Sequence, residues 1–209
     1  MRTLAIDCAT EACSVALIDD GVLVAGTFRR LGRGHAEALV PMIAELPDKG
    51  RAARIAVSCG PGSFTGLRVG LAAARALALA WGAELVGYPT LALVAAMAQA
   101  EWRAERGGLP LAVAMTGGHG EWFVQSFAAD GLPLGQPTSL TPAMAAQTAE
   151  ALVAGDQAEA LVAARGSGEA LALLPDARAL PLLPPQLLGD AVLVYGRAPD
   201  ARLPGGVPA

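Results

Sequence analysis

Residues 3–9, TLAIDCA, form a short apolar run broken by one carboxylate, and residues 14–19, SVALID, repeat that pattern after a brief polar turn. Short runs rich in Val, Ile and Leu predict strands. Asp19, Asp20 and Gly21 predict a turn into a third strand, VLVAGTF, which makes a three-stranded meander. The period then changes. Leu39, Met42, Ile43 and Leu46 fall at i, i+3, i+4 and i+7, predicting an amphipathic helix over 35–46. Pro41 fits that helix only near its start, where N–H groups have no intrahelical partner. RIAVSC, residues 54–59, predicts a buried strand. Behind it the glycine-rich turn CGPGSFTG carries Ser63 as the N-cap of a helix over 64–81, which Gly82 stops. ELVGYP then predicts a fifth strand, and 90–104 a further helix.

Gly107, Gly108 and Pro110 mark a boundary between a lobe over 1–104 and a smaller one over 105–209. In the latter, LAVAM, EWFVQSF and LPLGQPTSL predict a second meander, with short helices over 143–154 and 169–174. Six prolines from Leu180 onward predict an irregular end. No internal repeat is visible.

Composition adds limits. With 209 residues, 54% of them hydrophobic and 16% charged, the chain can bury a core in one large domain or two small ones. The net charge of −4 argues against this chain as the main nucleic-acid contact, and Arg29, Arg30 and Arg33 read as a solvated loop. Asp7 breaks the first apolar run too early for a secretory leader, and longer uncharged stretches carry Pro, Gly, Gln or Thr. A cytoplasmic protein without a membrane span is therefore expected. Cys8, Cys13 and Cys59 lack paired spacing and read as buried thiols; a zinc site would need a fourth ligand.

The glycine turn poses the main chemical question, because glycine serves both phosphate loops and close backbone approach. A P-loop needs a lysine that Gly60 to Arg68 lacks, and the dinucleotide fingerprint fails at Thr65. Along the following helix, Gly66, Gly70, Ala74 and Ala78 form a stripe nearly free of side chains, flanked by Phe64, Leu67 and Leu71. A helix apolar almost all round needs burial on more than one side. The stripe meets either the chain's own helix bearing Leu39, Met42 and Ile43 or a second polypeptide, and periodicity does not say which.

Other candidates are fewer. His35 and His119, the only histidines, fall in different predicted lobes, so no HxxxH or HExxH metal site exists and a metallopeptidase reading falls. His35 reads as a helix-start contact. Asp7 and Thr10 of DCAT, with Gly117 and Gly118 of TGGHGEW, are the possible nucleotide contacts, although Ala9 stands where a phosphate loop favours glycine and no Asp for magnesium accompanies the second loop. Asp7 and Glu11 could pair as carboxylates, but a turn of this kind places them in water.

TLAIDCATEACSVALID, HAEALVPMI, CGPGSFTGLRVGLAAARALA and LVGYPTLALVA resemble the TsaB (YeaZ) family of bacterial tRNA-modification proteins, closely over residues 3–95 and moderately at VYGRAPDARLP. The resemblance implies an α/β, two-lobed actin-like ATPase (ASKHA, ribonuclease H-like) fold with a reduced second lobe. It also implies a non-catalytic paralogue that binds and activates TsaD in forming threonylcarbamoyladenosine beside the anticodon of tRNAs decoding ANN codons, with the ATPase TsaE joining. On that reading ATP and a metal ion belong to partner subunits, tRNA is met through the complex, and a homodimer forms when the chain is alone. The interface expected from the stripe and its neighbours is Leu39, Met42, Ile43, Phe64, Gly66, Leu67, Gly70, Leu71, Ala74 and Ala78. The alternative is a small ATP-dependent kinase or hydrolase of the same fold with its own nucleotide site.

Overall fold

The first sheet arises from the apolar runs read above. In the computed structural model, which describes residues 1–106 and 108–196, they form β1 (Arg2–Asp7), β2 (Ala12–Asp19) and β3 (Val22–Arg30). Asp20 and Gly21, both at positive φ, make the tight turn between β2 and β3. Next come α1 (His35–Ala44), β4 (Arg54–Ser58), α2 (Phe64–Trp81), β5 (Glu84–Tyr88) and α3 (Thr90–Arg106). The strands lie in the order β3-β2-β1-β4-β5, antiparallel across the meander and parallel from β1 to β5. Gly107 of the expected boundary, and the chain from Arg197 onward with the end of VYGRAPDARLP, lie outside the described residues.

The second lobe comprises β6 (Leu111–Thr116), β7 (Trp122–Phe127), β8 (Thr138–Leu140), α4 (Pro142–Ala145), β9 (Leu152–Ala154), α5 (Ala158–Arg165) and β10 (Glu169–Leu171). Its order, read from β8, is β8-β7-β6-β9-β10, again antiparallel through the meander and parallel beyond it. Third, second, first, fourth, fifth is the order of both sheets. The lobes are therefore copies of one topology, a repeat invisible in the sequence, and together they make the two-lobed actin-like ATPase fold.

Several expectations need correction. Residues 143–154 are not one helix but a single turn, α4, followed after a loop by β9; 169–174 begins with strand β10; and α5 between them was not foreseen. Pro41 lies inside α1, exposed, beyond the first turn. The C-terminal part of the second half does not stay with its lobe. A 3₁₀ segment, Ala177–Leu182, packs on β1, β2, β3 and α3, with the Ala177 N–H donating to Ser14 Oγ at 2.9 Å. Further on, Gly189 pairs with Gly87, and the Val194 N–H donates to the Cys59 carbonyl at 2.7 Å.

One core runs through both lobes. Leu91, Val94 and Ala98 of α3 join Ala5, Ala56 and Tyr88 of the first lobe to Leu111, Val113, Phe127 and Leu152 of the second. A second core fills the opposite face of the first sheet, beneath α1 and α2.

Candidate functional site

Ser63 caps α2 as its sequence predicts, its Oγ accepting from the Gly66 N–H at 3.2 Å. At the other end Gly82, at φ 64°, adopts the left-handed conformation that ends helices. Between them the small-residue stripe faces inward. A Cβ at Gly66 would collide with the carbonyl oxygen of Cys8, and one at Gly62 with that of Ala9. The Ser63 N–H donates to that Ala9 carbonyl at 2.6 Å. Glycine here lets the N-terminus of α2 settle onto the β1–β2 turn.

This corrects the interface expected from the stripe. Gly66, Gly70, Ala74 and Ala78 are buried against the chain's own first sheet and its β1–β2 turn, Leu71 lies in the same core, and Leu67 is buried as well. Leu39, Met42 and Ile43 of α1 fill the same core. Only Phe64 of that set is exposed, at 53%. Apolar periodicity found the helix correctly and assigned its sides wrongly, because small residues line both.

A step of two residues turns a helix by about 200°, so Ala72, Ala76 and Ala80 lie opposite Gly70, Ala74 and Ala78. All three are exposed, and Leu79 beside them is 87% exposed. Val40, Pro41 and Ala44 are exposed apolar positions of α1, which packs beside α2. The 18-residue α2 is apolar enough to cross a membrane by composition, yet only six of its residues are buried within the chain. Charges flank this surface: Glu37 on α1 and Glu45 just past its end, Arg68 and Arg75 on α2. At its N-terminal end Arg68 stacks over the Phe64 ring, 3.5 Å from its centre, and Phe64 in turn meets Tyr195.

The interlobe turns differ from expectation too. Asp7 is not in water beside Glu11 but 1% exposed. Its Oδ1 accepts from the Ala9 N–H at 2.9 Å, and its Oδ2 from the Tyr88 hydroxyl at 3.1 Å. Burial raises its pKa from 3.8 to about 6 against the pull of these donors and of the nearby Ser58 hydroxyl. Glu11 instead pairs with Arg30 at 2.5 Å, and Arg29 with Glu45 at 2.9 Å, so these members of the basic patch are neutralised locally.

Thr10 is half-buried, and its Oγ1 accepts from the Ala12 N–H at 3.2 Å. The N–H groups of Ala9 and Ala12, which a phosphate loop would present to an anion, are therefore occupied. Gly117 and Gly118 lie in the β6–β7 turn, where the Gly117 N–H donates to the Glu121 carbonyl at 2.9 Å. Asp7 and Gly117 are thus engaged with their own lobes, and only Gly118 faces open space.

The acid not foreseen beside the second loop is Asp156, which accepts from the Thr116 N–H at 2.7 Å and from its hydroxyl at 2.6 Å. Burial raises its pKa, and the Glu11 carboxylate of the other lobe raises it further. The only signal for it was the Gly155-Asp156 step after an apolar run. His35 opens α1, as expected, with Nε2 3.2 Å from the Ala12 carbonyl, whereas His119 sits in the β6–β7 turn of the other lobe. Tyr88, Val40, Ala72, Ala76 and Leu79 had no distinguishing signal beyond being apolar.

Comparison with known proteins places this geometry. The family model described as TsaD, tRNA N6-adenosine threonylcarbamoyltransferase, matches residues 29–134, half of the chain. The chain is 44% identical over 108 residues to the tRNA threonylcarbamoyladenosine biosynthesis protein TsaB of Escherichia coli, the match covering 49% of this chain and 45% of that protein. It is 43% identical over 106 residues to the Haemophilus influenzae protein of the same name, covering 48% and 43%. It thus spans about half the length of the curated relatives it matches. YeaZ from Pseudomonas aeruginosa superposes with a TM-score of 0.75 at 28% identity, over 93% of this chain and 99% of that one.

Proposed function

Since this chain belongs to the TsaB (YeaZ) family, inside the wider group that the TsaD family model matches, we propose that it is a non-catalytic subunit that binds and activates TsaD. In this reading TsaD forms threonylcarbamoyladenosine in tRNA, in the cytoplasm. TsaE joins the assembly, ATP and a metal ion reside on the partners, and tRNA is met through the complex. The observation that carries the proposal is the outer face of α1 and α2. Val40 at 58% exposure and Leu79 at 87%, with Ala72, Ala76 and Ala80 between charged flanks, make an apolar two-helix surface that none of the other described residues covers. Small side chains there let a partner helix approach closely, as helix pairs at 8–10 Å require. Phe64 remains at the edge of this surface. In the absence of TsaD the same face pairs with a second copy of the chain.

The interlobe turns support the absence of a nucleotide site in this subunit. Their donors are bonded internally, Ala9 N–H to Asp7, Ala12 N–H to Thr10 and Gly117 N–H to Glu121. The test mixes purified TsaD with this protein, with and without ATP, and measures the assembled mass. A complex is expected with the wild-type chain and none with Ala76→Arg or Leu79→Glu, both of which should keep the wild-type circular dichroism because those positions face water. A complex that survives both variants overturns the docking face. Micromolar ATP binding by the isolated chain, with turnover lost in Asp7→Ala, would overturn the assignment of chemistry to partners.

A further inference from the structure

The last paired residues of the first hairpin are Asp7 and Ser14, so the next positions, Cys8 and Cys13, stand directly opposite each other where the ladder ends. Both side chains are wholly buried, and their sulfurs are 3.7 Å apart. Only the turn 9–12 separates them in the chain. Cys59, the third thiol, sits at the end of β4 with its Sγ–H directed to the Val57 carbonyl at 3.5 Å.

We propose that Cys8 and Cys13 are a redox-modification site, closed to an intrachain disulfide by oxidants of the small-molecule disulfide class. The sulfurs need to approach by less than 2 Å to reach bonding distance of about 2.05 Å. Facing positions on one antiparallel hairpin also put their Cα atoms within the range that disulfides span.

The electrostatics divide the roles. The two thiols share one hydrogen bond in which either sulfur can donate, and that bond together with burial raises the Cys8 pKa. The Cys13 thiol is lowered first by that hydrogen bond and then by Arg29, its register neighbour on β3. Burial pushes Cys59 the other way, up to about 11. Cys13 is therefore the attacking thiolate. It displaces one thiolate from the oxidant RSSR to give a mixed disulfide. The Cys8 sulfur then attacks Cys13 Sγ, loses its proton and expels the second RS⁻. Two protein thiols become one disulfide while RSSR is reduced to two RSH, so electrons and protons balance.

Because neither sulfur is exposed, the oxidant enters only when the 9–12 turn opens. Oxidation is slow in buffer and accelerates at urea concentrations below the unfolding transition. The product pins the turn onto which α2 settles through the Cys8 and Ala9 carbonyls. This inference stands independently of the proposed docking to TsaD.

The test treats the full chain with oxidised glutathione in increasing sub-denaturing urea, blocks free thiols and digests with trypsin without reduction. Residues 3–29 form one tryptic peptide holding both cysteines, and 55–68 another holding Cys59. The first peptide should lose about 2 Da, recoverable with dithiothreitol, while accessible thiols in the denatured chain fall from three to one. Cys59→Ala should behave as wild type, and Cys13→Ser should retain its remaining thiols or stop at a glutathione adduct. Should Cys13→Ser fail to fold, Cys8→Ser serves the same purpose. Three thiols remaining after turn opening, a bridge involving Cys59, or an intermolecular bridge would each overturn the proposal.

Discussion

Gly66 and Gly70 lie one turn apart on the same face of α2, and the structure gives them opposite tolerance for one methyl group. At Gly70 an added Cβ would sit 3.5 Å from Cys8 Cβ, 3.6 Å from Val57 Cγ2 and 3.7 Å from Cys8 Sγ, all ordinary contacts. Gly70→Ala therefore gains about 0.5–1 kcal/mol from reduced backbone entropy in the unfolded chain. Burying the methyl adds up to about 0.8 kcal/mol. The variant should be more stable by about 1 kcal/mol or somewhat more.

Gly66→Ala makes the same entropic gain, but its methyl overlaps the Cys8 carbonyl oxygen. That oxygen is backbone at the end of β1, with no flexible side chain to yield, so either the turn or the helix must move. Overpacking of this kind costs about 1–3 kcal/mol, and the net effect should be destabilising by about 1–2 kcal/mol. Urea unfolding of both variants checks the pair. With a slope of about 1–3 kcal/mol per molar, their midpoints should separate by about 1 M or more, on opposite sides of wild type. If Gly66→Ala stabilises as much as Gly70→Ala, the stripe does not face the β1–β2 turn, and the reassignment of the two faces of α2 fails.

Asp7→Asn fixes the neutral form of a buried acid whose pKa burial raises from 3.8 to about 6. The stability linked to its protonation is fully present below about pH 3.8 and lost as pH rises through 6, an effect on the order of 3 kcal/mol. The variant should gain on wild type in urea midpoint between pH 4 and pH 7, and a gap independent of pH would refute this. Gly82→Ala meets no atom within 4 Å but must hold φ 64°, so thermal or urea unfolding should show a loss of about 1–2 kcal/mol; a neutral result would mean that the helix ends differently.

How far the sequence could be read depended on element length. β2 and β3 run to eight and nine residues and carry enough Val, Leu and Ile to be recognised, and α2 has both a Ser63 cap and a Gly82 stop. In the second lobe, β8, β9 and β10 have three residues each, too few to display alternation. β9, α5 and β10 also share one Ala- and Leu-rich vocabulary, and strand or helix is decided there by pairing, of β9 with β6 and of β10 with β9, rather than by local preference. The buried state of Asp7 was hidden for a related reason: its partner Tyr88 is 81 residues away, and a carboxylate at the end of an apolar run reads equally well as a turn in water.

The duplication sharpens the functional argument. In both lobes the connection from the first strand to the second occupies the same topological place, where loops of this shape can turn backbone N–H groups toward a bound anion. Here those groups serve the lobes themselves: Ala9 N–H goes to Asp7, Ala12 N–H to Thr10 and Gly117 N–H to Glu121. The carbonyls of Cys8 and Ala9 point the other way, into the glycines at the start of α2. A turn shaped for ligand contact thus acts as the seat of a helix. Seating that helix by its narrow side leaves Ala72, Ala76, Leu79 and Ala80 outward, which is costly for an isolated chain in water and useful to one that a partner covers. The glycines whose spacing first suggested an interface therefore act one step removed from it: they fix how deeply α2 sits, and so set the height and tilt of the face beyond.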